Sequence, residues 1–358
     1  MNPCIPTQWT PYITKGSPTH LDEAPRGLLF IGDPHLSLRR PGRRVEVDFA
    51  GVVLDKIEQA FRIATEERLV PVFLGDLFQA PRDATPWIFS QLFRLLLTQA
   101  PYRPLCNLGN HDKHEESQLT PDCSLYALAD SQAIWVMHTP ETCAVTIETT
   151  AGRVALLAVP YNHEIPHAIV SPCPPEQTVV ITHADLDFGG HYPGAGALYE
   201  IDGARLLVNG HMHDTKPVET RGQTLCFNPG NITRQSVDQR DHIPSVWSWH
   251  IGEELPKQHT LVHTPGAAAF DMTGLQVSPA SGHQSAADMA QAALLESRFA
   301  PLLAAEGGLE QGRTADGTIL QEEIAEALTA MGWTEDHPAA QILLTLLGEA
   351  VREDGPSP

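Results

Sequence analysis

The chain has 358 residues, of which 42% are hydrophobic, and carries a formal net charge of -21 at pH 7. This length is enough for one large domain with a substantial core and a smaller second region. The acidic balance argues against broad nucleic-acid binding through a uniformly basic surface, because affinity for phosphates depends on Lys and Arg.

The six cysteines include no Cys-x-x-Cys pair, and several lie within apolar runs. We interpret them as free thiols in a reducing compartment. The sequence has no run of 18 apolar residues that could span a membrane. Its N-terminus lacks the basic segment followed by an apolar one that is typical of signal peptides. We therefore expect a cytoplasmic protein that has no membrane partner.

In chain order, residues 1–26 are rich in proline and polar residues, which predicts an N-terminal extension that lies on the surface or is partly disordered. Apolar residues at spacings of three and four predict a helix over residues 48–68, with Asp48 as its N-cap. A second helix, over residues 85–99, should open at Thr85-Pro86. The second half of the chain is rich in strand patterns, and the predicted strands are 133–138, 143–148, 153–159, 177–182, 205–209, 224–227, 245–251 and 259–263.

These elements predict an α/β (α+β) fold in which a two-sheet β-sandwich is flanked by helices. The first half has a βαβαβ pattern, and the second half is expected to form a largely antiparallel sheet. The main domain should cover residues 27–266, followed by a linker over 267–285. Residues 286–358 should form a small helical C-terminal region, and residues 267–358 carry 14 acidic and three basic side chains.

Five apolar runs end in residues that commonly bind metal ions. Four of them, residues 28–32, 70–75, 105–109 and 206–210, end in Gly, which predicts a buried strand that stops at a tight turn. The fifth run, residues 179–182, leads directly into a histidine. The polar residues at these five ends are Asp33, His35, Asp76, Asn110, His111, Asp112, His183, His211 and His213.

A mixed set of carboxylate, amide and imidazole groups suits divalent ions such as manganese, iron or zinc. No cysteine joins the set, which argues against a structural zinc site. Two ions about 3.5–4 Å apart need a shared carboxylate, and Asp76 is the natural bridge. Such a pair can hold a phosphate ester and generate a hydroxide for in-line attack. We expect Asp112 to orient the ring of His111.

The motifs resemble those of calcineurin-like metallophosphoesterases over residues 28 to about 264. The resemblance implies a sandwich of two sheets with metals at the strand ends. It also implies that His111 stabilises the transition state or protonates the leaving oxygen. One ion would be held by Asp33, His35, Asp76 and His213, and the other by Asp76, Asn110, His183 and His211.

Three further segments resemble the SbcD-like nuclease subunits of DNA repair complexes. They are Gly75-Asp76-Leu77-Phe78, the Asn228-Pro229-Gly230-Asn231 segment with Arg234-Gln235-Ser236, and the closing hairpin around residues 244–249 and 260–262. This resemblance implies a manganese-dependent DNA exonuclease or endonuclease. It also implies that the C-terminal helices dock on an SbcC-like ATPase subunit.

A basic loop with Arg39, Arg40, Arg43 and Arg44 follows two of the predicted ligands and is expected to bind substrate phosphates. The alternative is a solvated loop.

Two other functions stay open: a small-molecule phosphodiesterase or phosphoprotein phosphatase on the same scaffold, which the acidic charge favours, and a binding module whose phosphoesterase is vestigial. The C-terminal helices could also pack on the main domain or across a homodimer. The sequence leaves the substrate and the metal, manganese with iron or zinc as alternatives, undecided.

Overall fold

The structure is a computed structural model that describes residue 6 and residues 8–114, 119–189 and 194–271. Within these residues the helices are α1 (Phe49–Glu67), α2 (Pro86–Thr98), α3 (Ser124–Asp130) and α4 (Gly266–Ala269). The strands are β1 (Thr10–Pro11), β2 (Gly27–Ile31), β3 (Leu69–Phe73), β4 (Leu105–Asn107), β5 (Trp135–Met137), β6 (Ala144–Thr149), β7 (Gly152–Val159), β8 (Thr178–His183), β9 (Leu186–Asp187), β10 (Gly196–Ala197), β11 (Leu206–Gly210), β12 (Lys216–Arg221), β13 (Thr224–Asn228), β14 (Ser245–His250) and β15 (Lys257–Thr260).

Two large sheets form the body of the described chain. The first has the order β15-β14-β2-β3-β4-β5, and its strands β2 to β5 are parallel. The second has the order β1-β6-β7-β8-β11-β13-β12. Their inner faces share one core, in which Leu28 and Val70 of the first sheet meet Val179 and Val208 of the second. The predicted two-sheet sandwich with flanking helices is therefore confirmed.

The expectation of a largely antiparallel second sheet was wrong. Strands β7, β8, β11 and β13 are parallel neighbours, and β6 and β12 are its antiparallel members. The runs 179–181 and 206–208 are continuously apolar and fully or almost fully buried, as is typical of parallel strands covered on both faces. The helix that often connects parallel strands is replaced between β7 and β8 by a loop with one short 3-10 turn, so no helical period marked the crossover.

Helices α1 and α2 begin and end close to their predicted positions. The Asp48 side chain accepts a hydrogen bond from the amide of Gly51 at 2.8 Å, which caps α1. Thr85 caps α2, and Pro86 takes its first position. The apolar faces of both helices bury large side chains under the outer face of the first sheet. Helix α3, with seven residues, and the half-exposed edge strand β12 were not predicted, because neither carries a long hydrophobic period.

Segments on either side of the main domain also make contacts with it. Strand β1 pairs with β6, and Tyr12 and His20 in the predicted N-terminal extension are buried. In the predicted linker, the carbonyl of Ala269 accepts a hydrogen bond from the amide of Val45 at 3.1 Å.

The predicted C-terminal helices lie outside the described residues. Five cysteines are buried free thiols, as expected. No helix in the described ranges is long and apolar enough to cross a membrane.

Candidate metal centre

The predicted ligands follow strand ends that meet at one edge of the two sheets. Because β2, β3 and β4 run parallel in one sheet and β8 and β11 in the other, their carboxyl ends lie together. The chain turns sharply there, and the residues take left-handed backbone conformations that side chains rarely adopt. The φ angles are 30° at Asp33, 48° at His35, 49° at Asp76 and 71° at His211. Such strain is typical of functional sites.

One half of the site is built around His35. Its Nε2 lies 2.9 Å from Nε2 of His213 and 3.6 Å from Oδ2 of Asp76. The backbone amide of His35 also donates to the carbonyl of Asp76 at 2.9 Å, which ties the two turns together. Asp33 is fully buried nearby, and its Oδ1 accepts a hydrogen bond from the amide of His211 at 3.1 Å. Two imidazole nitrogens and one carboxylate oxygen of Asp76 therefore lie close together.

The other half is built around His183. Its Nδ1 lies 3.0 Å from the carbonyl of Leu74, and its Nε2 lies 3.1 Å from Oδ2 of Asp76 and 3.2 Å from Oδ1 of Asn110. A histidine whose one ring nitrogen donates to a backbone carbonyl presents the other nitrogen to a metal, which is the usual arrangement of such ligands. Asp76, His183 and His211 each place one ligand atom within 4.8 Å of the others. Asp76 belongs to both halves, as a bridging carboxylate must.

Glycines hold this geometry by letting backbone segments approach the ligands. Gly75 has φ +119°, and a Cβ there would lie 2.5 Å from Nδ1 of His183. A Cβ at Gly109 would collide with the carboxylate of Asp76. The glycines that end the apolar runs therefore provide the space in which the ligands come together.

Burial and neighbouring charges shift the pKa values of the buried groups in different directions. Burial lowers the pKa of His35 to about 3 and that of His213 to about 4, so both rings keep free lone pairs at neutral pH. Burial opposes ionisation of Asp76, but the adjacent His183 holds the pKa of Asp76 well below its usual range. Burial also opposes protonation of His183, but Asp76 raises the pKa of His183 to about 9. Burial raises the pKa of Asp33.

One orphaned atom provides a direct test of whether divalent ions fit. Oδ2 of Asp33 is buried and has no hydrogen-bond partner among the described residues. An unsatisfied buried carboxylate oxygen is costly unless a cation or donor meets it. The donor set of imidazole, carboxylate and amide is the one that divalent manganese, iron or zinc accepts. The residues present therefore fit a metal pair.

His111 lies beside this centre, with its ring centroid 4.9 Å from that of His35. The expectation that Asp112 orients the His111 ring was wrong. Nδ1 of His111 lies 2.7 Å from the carbonyl of Gln79, whereas the Asp112 carboxylate accepts hydrogen bonds from the amides of Phe78 at 3.3 Å and Gly109 at 3.1 Å. Asp112 therefore fixes the two ligand-bearing turns, and a backbone carbonyl orients the histidine.

Three neighbours of the centre were not found from the sequence. They are the Gln79 carbonyl, Asp185, whose Oδ1 lies 3.3 Å from Nε2 of His211, and Tyr161, whose ring centroid lies 5.4 Å from that of His211. A contact with a backbone carbonyl cannot be predicted from residue type. Asp185 and Tyr161 lie in loops, where no hydrophobic period predicts their position. The only usable signal was that both follow strand ends by two residues.

The four arginines of the basic loop divide into two groups. Arg39, Arg40 and Arg43 are exposed and follow His35 by four, five and eight residues in the chain. Arg44 is 5% exposed, and its guanidinium forms a fork with Glu46 at 2.9 and 2.5 Å. It also donates to the carbonyl of Arg234 at 3.1 Å. Arg44 is therefore a structural residue of this loop, and the prediction that it binds substrate does not fit its burial.

Comparisons with known proteins give a family match and similar solved structures. A family model described as calcineurin-like phosphoesterase matches residues 27–215. A 5′-nucleotidase precursor from Thermus thermophilus is 15% identical, with 77% of this chain and 59% of that chain covered and a TM-score of 0.38. The chain thus spans 59% of that nucleotidase.

Two shorter structures are also similar. A hypothetical protein from Thermus thermophilus is 14% identical, with 65% of this chain and 98% of that chain covered and a TM-score of 0.35. A predicted phosphoesterase from Streptococcus pneumoniae is 11% identical, with 66% and 98% covered and a TM-score of 0.28. A comparison with curated proteins gives no significant match.

Proposed function

Because the chain belongs to the calcineurin-like phosphoesterase family, we propose that it is a metal-dependent hydrolase that cleaves phosphodiester bonds in DNA, as SbcD-like nucleases do. The observation that carries the reaction class is the convergence of two ligand clusters on Asp76. The choice of DNA is supported by the exposed arginines that follow His35 in the chain and by the resemblance of the segment from Gly75 to Phe78.

In this proposal each half of the site holds one divalent ion, with manganese as the first candidate. Asp33, His35 and His213 would hold one ion, and Asn110, His183 and His211 the other, with Asp76 shared by both. When bound, two such ions stabilise charge on the phosphate and acidify the attacking water. The chain's part is to fix the distances between these groups before the substrate arrives, since preorganised charges require no rearrangement during the reaction.

We expect His111 to act on the substrate directly. The Gln79 carbonyl accepts the hydrogen bond of its Nδ1, so Nε2 is the nitrogen available to the scissile group. A protonated His111 can donate from Nε2 to a phosphate oxygen during attack or to the leaving oxygen afterwards. The ring also lies close enough to His35 and Asp76 to complete a ligand group. Metal content therefore has to be measured together with activity in any variant of His111.

A polyanionic substrate needs local positive charge, because the whole chain carries -21. Arg39, Arg40 and Arg43 provide it, only a few residues after His35. They can contact phosphates that flank the scissile bond, and each such contact adds to the salt dependence of binding.

A second candidate function is hydrolysis of a small phosphodiester or a phosphoprotein. Two accessible carboxylates favour it, since the side chain of Asp185 is 41% exposed and that of Asp214 is 54% exposed next to predicted ligands. They would repel the phosphates of a long nucleic acid on that side of the centre. A small substrate could avoid them.

The decisive experiment is a substrate panel with the full chain and added manganese: single-stranded DNA, double-stranded DNA, RNA, a cyclic nucleotide and a phosphopeptide. The proposal expects DNA to be cleaved most efficiently. Replacement of Arg39, Arg40 and Arg43 by Gln should weaken DNA binding and reduce its salt slope by about one unit per lost phosphate contact. A control with Arg153 and Arg205 replaced by Gln should keep the slope. Turnover of the cyclic nucleotide or phosphopeptide without nuclease activity would favour the second candidate.

A further inference from the structure

His211 is held more tightly than a simple ligand requires. Its backbone amide donates to Oδ1 of Asp33, and its ring packs against those of His183 and Tyr161, with centroids 5.0 and 5.4 Å away. These contacts fix where the ring lies. They do not determine which of its two nitrogens faces Asp76, because the ring could turn over within the same space.

The neighbouring carboxylate supplies the missing constraint. We propose that Asp185 is a positioning residue that accepts the Nε2 hydrogen of His211, so that Nδ1 is the atom presented to the metal ion. The inference rests on the proposed function, because it assigns a role toward one of the two ions. The contact that carries it is the 3.3 Å distance between Oδ1 of Asp185 and Nε2 of His211.

Sheet register places the two residues side by side. Strands β8 and β11 are parallel neighbours, and Gly210 pairs with His183, so the residues that follow each strand end are adjacent. The peptide before Asp185 is anchored by Asn209, whose side chain accepts from the amide of Ala184 at 3.1 Å and donates to its carbonyl at 2.9 Å. On the other side, the carbonyl of Asp185 accepts from the amide of Gly196 at 2.9 Å. Both ends of this short segment are therefore held against the strand that carries His211.

The number of hydrogens on the imidazole of His211 determines which ring nitrogen can bind the ion. A neutral ring has one N–H group, and a carboxylate at Nε2 places it there. Nδ1 then carries the lone pair, and the adjacent negative charge makes that lone pair more basic. Partners of this kind typically change metal affinity by about 10–100-fold. Without the carboxylate, both tautomers and both ring orientations compete, and only one combination binds the ion.

The chain offers a matched control. Asp214 follows His213 directly, is 54% exposed and lies 3.9 Å from Lys216. It resembles Asp185 in charge, exposure and distance along the chain from a predicted ligand. If negative charge near the centre were all that mattered, replacement of either aspartate would have the same effect.

The test is a manganese titration of the metal-free full chain by calorimetry, with low-temperature electron paramagnetic resonance to report magnetic coupling between two bound ions. Wild type should bind two coupled ions. Asp185→Ala should bind one ion as wild type does and the other about 10–100-fold more weakly, with loss of the coupled signal. Asp185→Asn, which keeps an acceptor oxygen, should retain most of the affinity. Asp214→Ala should match wild type.

Each outcome has one meaning. Asp185→Ala with both affinities at the wild-type level would overturn the inference while leaving the proposed function standing. Equal losses in Asp185→Ala and Asp185→Asn would overturn the hydrogen-bond role, because the acceptor atom would then be irrelevant. A wild-type chain that binds fewer than two ions would refute the proposed function itself, and the inference with it.

Discussion

Gly75→Ala is the substitution that separates the geometry of the centre from the stability of the fold. An added Cβ would lie 2.5 Å from Nδ1 of His183, whereas ordinary contacts of this kind begin at 3.4 Å. The ring must therefore move by about 0.9 Å, away from the Leu74 carbonyl that now holds it at 3.0 Å. A displacement of about 1 Å in a catalytic arrangement can cost about 100-fold in rate. We expect kcat/KM to fall by about that factor, equivalent to about 2.7 kcal/mol in transition-state stabilisation.

The same substitution also forces alanine into a backbone conformation of φ +119°. Gly252→Ala is the control, because Gly252 has φ +93° and nothing within 4 Å of its added Cβ. Both variants should lose about 1–3 kcal/mol of unfolding free energy in urea melts. The loss of activity on bis-p-nitrophenyl phosphate and of manganese affinity should occur in Gly75→Ala alone. If Gly75→Ala kept wild-type turnover and metal binding, His183 could not be a ligand in the orientation described.

Three other predictions concern separate parts of the molecule. His111→Ala should lower kcat by about 100-fold or more while metal analysis still finds both ions; loss of an ion would make His111 a ligand instead. Arg44→Met should reduce the unfolding free energy by about 3 kcal/mol, because it leaves Glu46 without its partner, and exposed Arg40→Met should leave the urea midpoint unchanged. A chain that ends at residue 271 should keep its metals and its activity on small phosphodiesters but lose binding to an SbcC-like ATPase subunit; aggregation of this chain would assign residues 272–358 to the catalytic core.

The meeting of the predicted ligands at one sheet edge could be predicted from the sequence because it depends on local pattern. A buried strand leaves a continuous apolar run, and a Gly followed by a polar residue marks its end. Parallel strands bring such ends to one edge, so residue type and position were enough to nominate Asp33, Asp76 and His183. The same reasoning located α1 and α2 through their caps and periods.

The predicted roles of Arg44 and Asp112 were wrong because contacts with residues distant in sequence determine where these side chains lie. Arg44 was grouped with the other loop arginines, but Glu46 and the rings of Phe49 and Phe270 draw its guanidinium inward. Asp112 was assigned to His111 because they are adjacent in sequence, yet adjacent residues on a tight turn face different ways. Long-range contacts of this kind leave no periodic signal in the chain.

Charge balance within the centre explains why these buried groups belong together. Asp33 and Asp76 are almost completely inaccessible to water, and two of the histidines that face them stay neutral because burial lowers the pKa of His35 and His213. Isolated carboxylates in such an interior are strongly destabilising unless positive charge compensates them. The positive charge of His183 offsets Asp76 when no ion is bound, and two divalent ions would more than neutralise both carboxylates. The surplus positive charge would then face a phosphoester, so a metal-loaded centre would attract an anionic substrate although the chain as a whole is acidic.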